Sequence, residues 1–184
     1  MLKIGLDFDN NLISYDKIFH KVALEENLIP KGFPEQKVLI RDFLRKKSLD
    51  HIFTQIQAEV YGKRILEASP CEGVIDSLIK LKKLNVNLFI VSHKTLYPYN
   101  GPKYNLHNAA NEWLNKNGFF DKAGLNFSAN DVYFEVSKLN KIKRIKILNC
   151  THFIDDLPEI LDLIEGKCIK ILYNPFNKEI ENKS

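Results

Sequence analysis

Apolar and polar positions along the chain change period several times, and each change marks an element. Residues 2–8 (LKIGLDF) form a short apolar run that fits a strand buried on both faces. From about Ser14 the spacing turns helical, with Ile18, Val22 and Leu24 on one stripe, until Pro30, Gly32 and Pro34 interrupt it. Helices are then predicted over 34–47, through Val38, Ile40 and Phe43, and over 49–66, through Ile52, Phe53, Ile56 and Val60. No strand pattern occurs across this stretch, which reads as an all-helical insertion ended by Pro70 and Gly73. An amphipathic helix follows over 74–83, with Val74, Ile75, Leu78, Ile79 and Leu81 apolar. Residues 87–92 (NLFIVS) read as a second buried strand, and 93–104, rich in Pro, Gly, Tyr and Asn, as a loop. Asn105 is placed to cap a helix with Leu106, Ala109, Ala110, Trp113 and Leu114 on one face, closed by Gly118. A third strand is predicted over 131–136, then a helix capped by Ser137 and carrying Ile142, Ile145 and Leu148. A fourth strand over 151–154, a short helix over 157–164 and a fifth strand over 168–173 complete the pattern; the closing NKEIENKS (177–184) reads as frayed.

Strands alternating with helices imply right-handed crossovers. The expected fold is α/β, a Rossmann-like three-layer sandwich with a mostly parallel five-stranded sheet. A small helical cap at 14–70 would be inserted into a core made of 1–13 and 71–184. The composition fits one full core with a modest insertion: 45% of the residues are hydrophobic and 27% charged. The formal net charge is +4, but 27 basic residues are offset by 23 acidic ones and dispersed along the chain. That argues against nucleic acid as a partner and suits a small anionic substrate. Cys71, Cys150 and Cys168 are far apart with no metal-ligand spacing, so free thiols in a reducing cytoplasm are expected. The N-terminal MLKIGLDFDN carries acids where a signal peptide needs an apolar run. No apolar stretch approaches the roughly 20 residues that span a membrane. A soluble, cytoplasmic protein is expected, and the sequence carries no signal of its oligomeric state.

In open parallel sheets, ligands bind beyond the carboxyl ends of the strands. Asp7 and Asp9 end the first predicted strand, Ser92 the second, and Asp155 and Asp156 the fourth, while Lys141 lies in the helix after the third. These groups have the chemistry of phosphoryl transfer to a side chain. A phosphate monoester repels a carboxylate nucleophile, so a magnesium ion must bridge the two, and magnesium prefers hard oxygen ligands. Asp7 is the candidate nucleophile. Asp9 is the candidate acid and base, protonating the leaving oxygen and later activating water. Ser92 and Lys141 are candidates to hold phosphoryl oxygens.

The segments DFDNNLI (7–13), VS (91–92), SKLNK (137–141) and FIDDLPEI (153–160) resemble, in order and spacing, the four motifs of the haloacid-dehalogenase-like (HAD) superfamily. The resemblance implies a nucleophile at Asp7, an acid/base at Asp9, and magnesium held by Asp7, the Asp9 carbonyl and Asp155. It implies phosphate binding by Ser92 and Lys141, to which Asn10 and Asn11 in the adjoining turn are added. Asn11 stands where the family pattern usually has Thr or Val, and Asn can still support the tight turn. Phosphate-transferring members need the second acid that Asp9 supplies, whereas dehalogenating members lack it. A magnesium-dependent phosphatase is therefore expected, with a nucleoside 5′-monophosphatase or a non-catalytic scaffold as alternatives.

Two residues compete with these assignments. Lys138 is expected exposed on the first turn of its helix, and Asp156 is expected partly to cap the helix after it. SHKTLYPYNGPKYNLH is the most unusual segment, and His93, Lys94 and Lys103 make it a candidate substrate loop. It is similar to small phosphatase-like proteins often encoded with bacterial surface-polysaccharide genes. That association is one of family and does not identify a substrate; a sugar phosphate or a phosphorylated surface-glycan precursor is the expected substrate class.

Overall fold

The first apolar run becomes the middle of the sheet, because it is the strand both of whose faces can be buried. The computed structural model describes residues 1–175, so the fraying expected for 177–184 lies outside the described residues. In chain order the elements are β1 (Lys3–Leu6), β2 (Ile13–Ser14), α1 (Asp16–Glu25), α2 (Lys37–Lys46) and α3 (Asp50–Tyr61). Then come β3 (Ser69–Pro70), α4 (Val74–Lys83), β4 (Asn87–His93), α5 (Leu106–Lys116), β5 (Val132–Glu135), α6 (Lys138–Ile147), β6 (His152–Asp155), α7 (Pro158–Asp162) and β7 (Ile169–Leu172). The five-stranded sheet has the order β5-β4-β1-β6-β7, and every pairing in it is parallel. Leu6 stands beside Ile90 on one side and Ile154 on the other. The next residues, Asp7 and its neighbours, therefore emerge at the centre of the carboxyl rim.

Helices cover both faces of the sheet. On one face Ile4, Leu6, Leu88 and Ile90 pack with Leu78 of α4 and with Ala110, Trp113 and Leu114 of α5. On the other, Val91 and Phe153 pack with Ile145 of α6 and Leu161 of α7. The expected α/β sandwich is the one observed. Gly5 is needed in β1 because a Cβ there would lie 2.5 Å from the Phe153 ring. Two caps expected from sequence are made: Asn105 accepts from the Asn108 N–H at 3.0 Å and Ser137 from the Asn140 N–H at 3.1 Å. No helix among the described residues is long and apolar enough to cross a membrane. Cys71 and Cys150 are buried free thiols, and Cys168 is a half-buried one.

Helices α1, α2 and α3 lie where the helical insertion was expected. Their buried side chains, among them Phe19, Ile40, Leu44 and Phe53, join the same continuous core as the sheet. The sequence pattern did not show that β2 and β3 pair as a two-residue antiparallel ribbon closing this segment. Two residues are too few for an alternation to register, and Pro70 argued for a break. The Cys71 N–H extends the closure with a 2.8 Å bond to the Leu12 carbonyl.

Candidate active site

The chain leaves β1 in a tight turn. Phe8 is fully buried and meets the rings of Trp113 and Phe134 edge-on, each at 5.5 Å between centroids, so the residues beside it are held toward the rim. Asn10 follows with φ 60°, a left-handed conformation that Asn tolerates better than most residues. Backbone bonds from Leu12 and Ile13 to the Phe8 carbonyl close the turn at 3.0 and 3.2 Å.

Three carboxylates converge there: Asp7, Asp155 and Asp156 each offer an oxygen within 4.8 Å of the others. Lys141 reaches in from α6, buried, and donates to Asp7 Oδ1 and Asp155 Oδ2, both at 2.6 Å. One ammonium among three carboxylates leaves the cluster short of positive charge. Burial, with Asp155 and Asp9 nearby, pushes the Asp7 carboxyl up to about 6 despite Lys141. Burial likewise raises Asp155 and Asp156 above the usual carboxylate range. Burial would lower Lys141, but Asp7 and Asp155 hold it above its ordinary value. A hard divalent cation fits this set by donor type and by charge.

Asp9 is set apart from that cluster. Its Oδ1 accepts the Tyr15 hydroxyl at 2.6 Å, and both its oxygens accept from Lys94 Nζ at 2.9 Å. Burial alone would raise the Asp9 carboxyl, but Lys94 and then Tyr15 outweigh it and hold it below the ordinary value. Lys94 was expected on a substrate loop; its side chain is instead buried and paired with Asp9. The reason is register: Lys94, one residue past β4, still bonds the Glu135 carbonyl through its N–H at 2.9 Å, so it continues the alternation and faces the same side as Ser92. His93 lies between them, half-buried, with its imidazole pushed down by burial and by Lys141. Lys103 is exposed on the loop beyond.

Ser92 is 1% exposed, and among the described residues its Oγ has no hydrogen-bond partner, nor has Asn11 Oδ1. Leaving such a buried group unpaired costs about 1–3 kcal/mol, which a phosphoryl oxygen accepting from the serine would relieve. Asn10 and Asn11, expected at the phosphate, direct their amides elsewhere. Asn10 Nδ2 donates to Asp156 Oδ2 at 2.9 Å, and Asn11 Nδ2 to Asp156 Oδ1 at 3.3 Å and to the Asp9 carbonyl at 3.2 Å. Asp156 does not cap α7 as expected. The Leu157 N–H bonds Asp155 Oδ1 at 3.0 Å, while Asp156 is held by the two asparagines. Lys138 is exposed and pairs with Glu159 at 3.3 Å.

The chain matches no protein-family model and no curated protein. It does match solved structures. A HAD-superfamily hydrolase from Ehrlichia chaffeensis is 18% identical with a TM-score of 0.50, the match covering 94% of this chain and 87% of that one. A HAD hydrolase of family IA, variant 3, from Entamoeba histolytica is 16% identical with a TM-score of 0.51, covering 92% and 82%. The chain has the HAD hydrolase fold. Within the HAD fold, the carboxyl rim of the central strand carries the carboxylate cluster described above.

Sequence reasoning missed Tyr15, Tyr61 and Lys37. All three come from the helical segment. Tyr15 and Tyr61 pack at 4.6 Å between centroids beside Asp9, and Lys37 Nζ donates to the Tyr61 hydroxyl at 2.6 Å. None of them belongs to a motif or to the apolar stripes read from the sequence, so nothing singled them out.

Proposed function

We propose that this protein is a magnesium-dependent phosphomonoesterase acting through a phospho-aspartate on Asp7. The observation carrying the proposal is the clustering of Asp7, Asp155 and Asp156, the first two bridged by the Lys141 ammonium, with a separately held carboxylate at Asp9. Asp7, Asp155 and Asp156 would hold the metal, joined by the Asp9 carbonyl that the motif resemblance implies. When bound, the metal supplies the positive charge that lets an anionic ester approach a carboxylate.

An Asp7 oxygen attacks phosphorus and the ester P–O bond breaks. The leaving oxygen takes a proton from Asp9. Ser92 Oγ and Lys141 Nζ donate to phosphoryl oxygens and orient them. Water then attacks the phospho-aspartate and gives its proton to Asp9; inorganic phosphate departs and Asp7 is restored. Tyr15 and Lys94 favour the ionised Asp9 that this second half needs.

Beside Asn10 and Asp156 opens a cleft of about 820 Å³, sized for a small metabolite. A sugar phosphate or a phosphorylated surface-glycan precursor, met in the cytoplasm, is the substrate class we favour. A nucleotide would need an aromatic shelf. Tyr99 is fully exposed, and the Tyr61 ring already has Lys37 and Lys94 Nζ each 5.2 Å from its centroid. The test is aryl-phosphate turnover with and without magnesium. Turnover should require the ion, an Asp7→Asn variant should lose about 10³-fold or more, and the native protein should yield a phosphorylated Asp7 peptide on rapid quench. Turnover persisting in Asp7→Asn would sink the mechanism.

A further inference from the structure

Three lysines reach the site, and two are already committed. Lys141 is shared by Asp7 and Asp155, and Lys94 is spent on Asp9. Lys37, the first residue of α2, has no carboxylate within ion-pair distance among the described residues. Its backbone N–H donates to Asp16 Oδ1 at 2.8 Å, which fixes the helix start beside the site. Among the described residues its ammonium donates only to the Tyr61 hydroxyl, at 2.6 Å. The rings of Tyr15, Phe19 and Tyr61 surround it at 5.2–5.7 Å from their centroids.

This cup takes water from a charge and, among the described residues, puts no carboxylate in contact with it. Aromatic faces and a neutral phenol offset part of the loss, but a half-buried ammonium is satisfied by an anion. Lys37 also faces the reacting centre. Burial would lower its ammonium, but Tyr61 first, and then Asp9 and Asp156, hold it above the ordinary value. It lines the cleft of about 820 Å³ that opens beside Asn10 and Asp156, where Lys17 is the other cation and Asp16, Glu35 and Glu72 the other acids.

We propose that Lys37 binds a second anionic group, a carboxylate or a second phosphate, on the leaving part of the substrate. The substrates would be phosphorylated acids or bisphosphates, in preference to phosphates of neutral sugars or alcohols. This deepens the phosphatase reading and rests on it. The incoming oxyanion takes the ammonium from the Tyr61 hydroxyl, and the phenol is then free to donate to the same oxyanion.

Phosphonates, whose P–C bond is not hydrolysed, separate binding from chemistry. Calorimetry with the native protein and magnesium compares 3-phosphonopropanoate with propylphosphonate, a pair differing by one carboxylate. The acid should bind about tenfold more tightly or better, as expected of a charge-assisted hydrogen bond in a partly dry site. Lys37→Met should bring that ratio close to one, and Lys37→Arg should restore most of it. A native ratio near one, a ratio unchanged in Lys37→Met, or binding of neither phosphonate overturns the proposal. Aryl-phosphate turnover is read separately. Turnover without the phosphonate preference discards only the role of Lys37, and a Lys37-dependent preference without turnover discards only the chemistry.

Discussion

Lys94 decides the resting charge of Asp9, and with it how the two halves of the proposed reaction are balanced. An ammonium bonded to both carboxylate oxygens favours the ionised form, which accepts a proton from water but does not give one to a leaving group. Removing it should raise the Asp9 pKa. The alkaline limb of kcat/KM on an alkyl phosphate, whose poor leaving group needs a protonated Asp9, should therefore move to higher pH in Lys94→Met. On an aryl phosphate, which leaves without help, the limb should barely move. Profiles on both esters test this, and a stationary limb on the alkyl ester would assign it to another group. At this scale the sequence showed Asp7, Asp9, Ser92 and Asp155 because each sits at the end of an apolar run, where the fold puts reactive groups. Tyr15 and Lys37 escaped because helical periodicity says which face a residue occupies but not what that face meets across the molecule.

Elements were legible where burial imposes a period and obscure where it does not. The helix over Val74–Lys83 and the buried strand ending at Ser92 were readable from their apolar spacing, since each packs one face or both against the core. The ribbon of β2 and β3 was not, because its order comes from backbone bonds made after the chain returns from α3. Within β1, Gly5 shows how one position fixes a layer spacing. Gly5→Ala would force a methyl onto the fully buried Phe153 ring and close to Cys150 Sγ, so the ring must shift. It should destabilise the fold by about 1–3 kcal/mol, seen as a lower urea midpoint with an unchanged slope. Activity in the folded fraction should fall less than in Asp7→Asn, since the shift reaches the site only through Phe153, whose ring centroid lies 5.3 Å from Lys141 Nζ.

Across the whole molecule, the helical segment and the sheet share one core. Residues from α1, α2 and α3 pack in the same cluster as β1 and β4. The segment should therefore unfold together with the sheet and not ahead of it. Hydrogen exchange should give amides of α3 and β4 similar opening free energies, and circular dichroism and near-ultraviolet signals should follow one transition. Early exchange through α1–α3 alone would show an independent cap. The division at 14 and 70 drawn from the sequence marks a change of secondary structure, whereas the packing runs across it.

The chain has a single tryptophan. Trp113 is fully buried, donates its indole N–H to the Ala68 carbonyl at the end of the helical segment, and meets the edge of Phe8 between the two catalytic candidates. It thus joins, in one chromophore, the exit of the helices and the turn that carries Asp7 and Asp9. Intrinsic fluorescence offers a label-free optical probe of that junction: ligands or ions that tighten the turn act directly on its emission.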